Sequence, residues 1–145
     1  MKYWLSPYLL AIIITWLFAH IIKYVIAIIR GKQLSFSKQV FVSGGMPSAH
    51  VSTAVALTIV ILLSKGGFNS GLFALSVLFT LIVAHDSLRV RRSSGEQGAA
   101  LIQVMKETKS SAKIPIVAKG HTPQEVIVGV LFGALMGIIV FLATR

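Results

Sequence analysis

The sequence predicts an all-α fold: a polytopic bundle of about four transmembrane helices, with one amphipathic helix lying at the membrane interface. Three observations predict it. Hydrophobic residues make up 55% of the 145 residues and charged residues only 12%, about half the charged share of an ordinary soluble domain. The apolar residues stand in long unbroken blocks. The lysines and arginines gather at the ends of those blocks. The length suits a single membrane domain over residues 1–145.

The first span is read over about 7–29. Only Lys2 precedes it, and the run is too long for a signal peptide and has no small-residue cleavage site, so it is expected to remain as an anchor. The second span, about 47–63, is close to the shortest that can cross. A tight Lys65-Gly66-Gly67 turn leads to the third, about 68–88. The fourth covers about 123–143. Two basic loops, 30–46 and 89–121, separate these spans, and parity puts both on one side of the membrane. They carry Arg30, Lys32, Lys38, Arg89, Arg91, Arg92, Lys106, Lys109, Lys113 and Lys119, against Lys2, Lys65 and Arg145 on the other side. The positive-inside rule then makes this a multi-pass cell-membrane protein with both loops in the cytoplasm. Within the second loop, Gly95–Lys109 has helical periodicity, with Leu101, Val104 and Met105 on one face, and reads as an interfacial helix. Ser110–Gly120 is polar and basic.

A net charge of +10 would suggest nucleic acid in a soluble protein. Here the charges flank apolar blocks, so the expected partners are the bilayer and anionic lipid headgroups, and no nucleic acid. The absence of cysteine excludes disulfides, thiolate metal sites and thiol nucleophiles. No group of histidines and carboxylates has metal-ligand spacing, so neither a metal nor another cofactor is expected.

Three short elements carry candidate chemistry. In Gly44-Gly45-Met46-Pro47-Ser48-Ala49-His50 the glycines allow a tight turn and Pro47 suits the first helical position. The first N–H groups of a helix starting here form an anion site, with Ser48 as a hydroxyl donor and His50 one turn in. The same residues also describe an ordinary capped span start. In Gly120-His121-Thr122-Pro123-Gln124-Glu125, Thr122 and Glu125 form a capping box. Glu125 also lies four residues from His121, where a carboxylate would fix the tautomer of the imidazole and raise its basicity. Both readings of Glu125 stand together. In Asp86-Ser87-Leu88-Arg89-Val90-Arg91-Arg92, three arginines follow the end of a span. They serve either as a positive-inside anchor or as planar forks for phosphate oxygens, with Asp86 orienting one of them.

Below His121 and Glu125, Gly129, Gly133 and Gly137 continue the four-residue spacing. Small residues so placed let membrane helices approach closely. The second span offers Ser48, Ser52, Ala54 and Ala56 as a facing surface, with Ala54 opposite Gly129, and such a contact would bring His50 and His121 together. The ladder drifts about 40° per step, so one partner is not expected to meet all three glycines. Lys23 reads as snorkelling from its span, and His20 and His85 as packing residues.

These residues resemble a known family. Pro47-Ser48-Ala49-His50 is similar to the Pro-Ser-Gly-His motif of type-2 phosphatidic acid phosphatases and vanadium haloperoxidases. His121-Thr122-Pro123-Gln124-Glu125 is similar to their later His-x-x-x-Asp motif. Gly-Gly-Met-Pro-Ser, Asp86 leading to Val90-Arg91-Arg92 and Gly95, and Gly-His-Thr-Pro-x-Glu-Val together resemble the divergent branch of that superfamily, over about 43–133. The resemblance implies that His121 attacks phosphorus, Glu125 orients it and His50 protonates the leaving alcohol. It implies that Ser48, Ala49 and nearby amides hold phosphate oxygens without a metal. Ala49 stands where the family has glycine, the family's arginine six before the nucleophile falls at Pro115, and the upstream Lys-x6-Arg-Pro motif is absent. The missing cations are assigned to Arg91 and Arg92 first, then Lys38, with Arg89, Lys119 and Asp86 in support. Fewer spans than the family's usual six imply help from a second copy of the chain.

The function expected is hydrolysis of a membrane lipid phosphate of the phosphatidylglycerophosphate or prenyl diphosphate type, through a phosphohistidine. The alternative is a non-catalytic lipid-phosphate binder or carrier using the same pocket. A channel or transporter fits less well, because the ionisable residues cluster at span ends.

Overall fold

The computed structural model describes residues 6–31, 44–64, 67–114, 117 and 120–145. Lys38, Lys119, Pro115 and the Lys65-Gly66 part of the expected turn lie outside them. The described residues form helices α1 (Pro7–Ile29), α2 (Ala49–Leu63), α3 (Gly71–His85), α4 (Arg91–Glu107) and α5 (Pro123–Thr144). A single 3-10 turn, Gly67–Asn69, precedes α3, and a π-helical segment, Asp86–Val90, joins α3 to α4.

The protein is an all-α membrane helix bundle. Three helical stretches, Pro7–Ile29, Gly71–Glu107 and Pro123–Thr144, are long and apolar enough to cross a bilayer. Their large side chains point outward: Leu75, Leu81 and Leu131 are more than half exposed, while the interior holds Ala11, Ala19, Ala49, Ala54 and Ala56. Lipid is as apolar as leucine, so burial of large side chains drives little helix association, and small residues that allow close backbone contact take the interior.

Helix α2 is the centre of the bundle, packed on α5, α1 and α3. Gly129, Gly133 and Gly137 of α5 meet Ser48, Ser52 and Ala56 at the start and along the face of α2. Residue numbers rise together along this contact, so α2 and α5 run parallel. Ala11 packs near Val60 and Val140, while Lys23 approaches Gly45, so α1 runs antiparallel to both. Val83, Ala84 and Leu88 pack beside Val51 and Val126, so α3 also runs antiparallel to α2. The C-terminal ends of α1 and α3 and the starts of α2 and α5 therefore share one end of the bundle. Between α2 and α3, the Thr58 hydroxyl lies 3.0 Å from that of Thr80 and 3.2 Å from the Ser76 carbonyl oxygen.

Three expectations change. All three ladder glycines meet one partner, and Gly129 faces Ser48 rather than Ala54. The drift of one ladder is matched because Ser48, Ser52 and Ala56 repeat with the same spacing, and two such inclined rows can lie along each other. Helix α2 starts at Ala49 with Ser48 as its N-cap, so Pro47 precedes the helix instead of opening it. The Ser48 backbone stays extended, its N–H donating to the Glu125 carbonyl at 3.3 Å. The amphipathic segment does not begin afresh at Gly95. It continues from the third span as one helix over Gly71–Glu107, 37 residues. At 1.5 Å per residue that is about 55 Å, against a hydrocarbon core of about 30 Å, so its second half extends beyond the core. This continuous helix ends at Thr108 with Lys109 in the left-handed region, Ser110 N–H donating to the Met105 carbonyl in a Schellman-type stop.

A Cβ on Gly133 would collide with the Ser52 backbone, whereas one on Gly71 would meet open space. Gly133→Leu should therefore destabilise the bundle by about 1–3 kcal/mol or more, and Gly71→Ala should stay within about 0.5 kcal/mol. Thermal unfolding in detergent measures both, and equal midpoints would contradict the packing.

Candidate functional site

The site lies where α2 and α5 start. Gly44 and Gly45 both have positive φ, +91° and +87°, the conformation glycine adopts without a Cβ penalty. They turn the chain into the start of α2. The first bond of α2 runs from Ser52 N–H to the Ser48 carbonyl at 2.9 Å. The preceding N–H groups, at Ala49, His50 and Val51, have no helical acceptor and mark the positive end of the dipole. Ala49 is buried at the first helical position. The Ser48 hydroxyl is buried and has no hydrogen-bond partner among the described residues.

His121 is fixed from several directions. Its ring Nδ1 lies 2.8 Å from Glu125 Oε2, and because a carboxylate only accepts, Nδ1–H donates and Nε2 is left with its lone pair. The same carboxylate oxygen accepts from Thr122 N–H at 3.2 Å, while the Thr122 hydroxyl accepts from Glu125 N–H at 3.3 Å. The capping box and the His–Glu pair therefore coexist on one carboxylate. His121 N–H donates to the Ser87 carbonyl of the π segment at 3.0 Å. Gly120 passes so close to the Arg92 backbone that a Cβ there would clash with it. Burial, which leaves His121 only 6% exposed, is the largest influence on its pKa and pulls it below the usual histidine range. The hydrogen bond to Glu125 opposes this, and the Lys23 and Arg91 charges lower it further.

His50 is exposed at the second residue of α2, not one turn in as expected. It lies within electrostatic reach of Arg91, Lys23, His121 and Asp86. Arg91 Nε donates to Asp86 Oδ2 at 2.6 Å. These residues are five apart, and in a regular α-helix they would face about 140° away from each other. The π segment, with Arg91 N–H bonded to the Asp86 carbonyl, brings them to one face. Arg92 turns elsewhere, pairing with Glu96 at 3.1 Å. With Arg89, Leu88, Ser93, Glu96 and Pro123 it lines a separate open cavity of about 680 Å³. The structure thus gathers His121, Glu125, His50, Ser48, Ala49, Arg91 and Asp86, while the Arg92 side chain pairs with Glu96 at the cavity that Arg89 also lines.

Lys23 is the residue that sequence reasoning missed. It does not snorkel: it is 6% exposed, its Cε approaches the position a Gly45 Cβ would take at 3.6 Å, and it acts electrostatically on His20, His50, His121 and Glu125. The signal was present. Ala11, Thr15, Ala19, Lys23 and Ala27 follow one another at four-residue steps, and all are buried. A lysine in a stripe of small residues faces the bundle, not the lipid. Lys23 and Arg30 also keep the Lys-x6-Arg spacing, with Gly31 where the motif has proline, so that motif is altered in one position rather than lost. His20 is buried with its ring 4.4 Å from that of Trp16. His85 is exposed at the end of α3 and does not pack inside the bundle. Among the described residues, no group of three His, Asp or Glu side chains forms a metal-binding cluster.

Fold and site define a helical membrane protein with a carboxylate-held histidine beside the start of a neighbouring helix. The chain belongs to the Divergent PAP2 family, whose sequence model matches residues 5–136. It is 33% identical over 138 residues to a Bacillus subtilis (strain 168) protein described as "Uncharacterized membrane protein YuiD", covering 85% of this chain and 86% of that one. No solved structure matches it.

The electrostatics predict opposite responses of His121 to two substitutions. Glu125→Gln removes the group that raises its pKa and should move its titration to lower pH. Lys23→Met removes a cation that lowers it and should move the titration to higher pH. Histidine NMR titration in lipid nanodiscs reads both, and shifts in one direction would contradict the arrangement.

Proposed function

We propose that the protein is a metal-independent phosphatase that hydrolyses a membrane lipid phosphate, of the phosphatidylglycerophosphate or prenyl diphosphate type, through a phosphohistidine. The observation that carries this reading is the buried His121–Glu125 pair at 2.8 Å, set within electrostatic range of His50, Lys23 and Arg91. Family membership supports the phosphatase class.

In this mechanism the lone pair of His121 Nε2 attacks phosphorus, and the bond from phosphorus to the leaving oxygen breaks. Glu125 holds Nδ1–H and stabilises the imidazolium that forms. The lowered pKa keeps His121 unprotonated, and so nucleophilic, at neutral pH. His50 passes a proton to the leaving oxygen, then takes one from the water that attacks the phosphohistidine. Lys23 and Arg91 face the charge that develops on the phosphoryl oxygens, helped by the first amides of α2 and the unpartnered Ser48 hydroxyl. Ordering these donors in a protein-lined recess spares them reorganisation when the charge appears.

On this reading the basic loops face the cytoplasm, as the positive-inside rule favours, and a headgroup enters at this end of the bundle while its lipid stays in the bilayer. Phosphate release from a lipid panel in the presence of a chelator tests the proposal. His121→Ala should abolish turnover. His50→Ala should lower kcat by about 10²–10⁴-fold, and Lys23→Ala by about 10²–10³-fold. Undiminished turnover in His121→Ala would overturn the proposal. Lipid binding without phosphate release would leave a lipid-phosphate binder in its place.

A further inference from the structure

The face of α2 turned away from α5 forms the floor of a groove. Its walls are Ile12 and Trp16 of α1 and Phe79 and Val83 of α3, and its floor is His50, Thr53, Ala54 and Leu57. The groove has a volume of about 300 Å³. Its surface below His50 is apolar in effect, because the Thr53 hydroxyl is already committed to the Ala49 carbonyl at 2.8 Å. Going deeper from His50, the chain directions bring Trp16 and Val83 first, then Leu57, Phe79 and Ile12. His50 and Leu57 are seven residues apart, so the groove follows α2 for about 10 Å.

We propose that this groove seats one hydrocarbon chain of the phosphate-bearing lipid and so selects the substrate by its tail. The inference rests on the reading of His50 and His121 as a lipid-phosphate site. Three observations choose this occupant. The groove lies between helices that face hydrocarbon, so lipid chains surround it. Below His50 its lining is dominated by Ile12, Trp16, Ala54, Leu57, Phe79 and Val83, which suits an alkyl or prenyl chain better than a polar ligand. Its single polar end is His50, the group assigned to protonate the leaving oxygen. A chain lying in the groove brings its own ester oxygen to His50 and the attached phosphorus towards His121. The lipid alcohol is then the leaving group, and the bond broken is the one between its oxygen and phosphorus. The Trp16 ring, in this wall, lies 4.4 Å from that of His20.

The test uses the full-length protein in vesicles with two probes, phosphatidic acid and farnesyl phosphate, each carrying a diazirine in its hydrocarbon chain. The proposal expects photolabelling concentrated on Ile12, Trp16, Leu57 and Phe79, and a drop of at least about tenfold when Leu57→Trp fills the groove. Label spread evenly over outward residues such as Leu78 and Leu131, unchanged in Leu57→Trp, would overturn it. The probe that labels more strongly identifies a glycerolipid or a prenyl source. In turnover, the ratio of kcat/KM for phosphatidic acid to that for p-nitrophenyl phosphate should fall at least about tenfold in Leu57→Trp and in Val83→Phe. An unchanged ratio in both would overturn the proposal. If the wild type hydrolyses none of these phosphates, the phosphatase reading falls, and the labelling pattern alone decides the groove.

Discussion

Gly133 rests against the backbone of Ser52, with Gly129 on Ser48 above it and Gly137 on Ala56 below. Everything else in the site depends on this contact. It sets α2 and α5 side by side, parallel and in register, with Ser48 at the start of α2 level with Gly129, about 9 Å past the start of α5. The bond from Ser48 N–H to the Glu125 carbonyl ties the two starts together directly. His50 then lies on one helix start and His121 just before the other. Between close-packed backbones the register has little freedom, because a slip of one residue would put side chains where the glycines are.

The second consequence is depth. Helix α2 has only 15 residues, about 22 Å, against a hydrocarbon core of about 30 Å. Its N-terminus is therefore recessed among longer neighbours. Lys23, which approaches Gly45, precedes the end of α1 by six residues, about 9 Å. Non-helical backbone at such depth is tolerated where protein rather than lipid surrounds it. Here α1, α3 and α5 supply that surround, with Lys23 turned inward beside the glycine turn. An ammonium, a guanidinium and free helix amides in one recess call for an anion. Burial first, and the Lys23 and Arg91 charges after it, hold the His121 pKa below the usual histidine range. The π segment completes the arrangement. It rotates Asp86 beneath Arg91 and presents the Ser87 carbonyl to His121, so a local fault in helix geometry positions both a cation and the His121 backbone.

Much of this could be read from the residues. The apolar blocks gave the helices nearly to their ends, because hydrophobic length is a strong signal in membrane proteins. Thr122, Pro123 and Glu125 fixed the start of α5, and the glycine ladder named the close contact. Other features were not legible for physical reasons. Which residue of α2 opposes Gly129 depends on how two helices cross, and no single helix records that. The π segment depends on one extra residue in a turn, which leaves hydrophobic periodicity almost unchanged. Arg91 and Arg92 looked equivalent in the sequence, but adjacent residues on a helix lie about 100° apart, and they pair with Asp86 and Glu96 respectively. Lys23 was legible but misread: its position near a span end suggested snorkelling, while the alanines and threonine at four-residue steps around it pointed inward.

The central claim is that His121 carries the phosphoryl group between lipid and water. Rapid quenching at high pH during turnover of a ³²P-labelled lipid phosphate, followed by peptide mapping, tests it most directly. The account predicts an acid-labile, base-stable label on His121, absent from His121→Ala and accumulating in a variant slowed at His50. Phosphate release with no label on His121 at any quench time, or label on another residue, would contradict it.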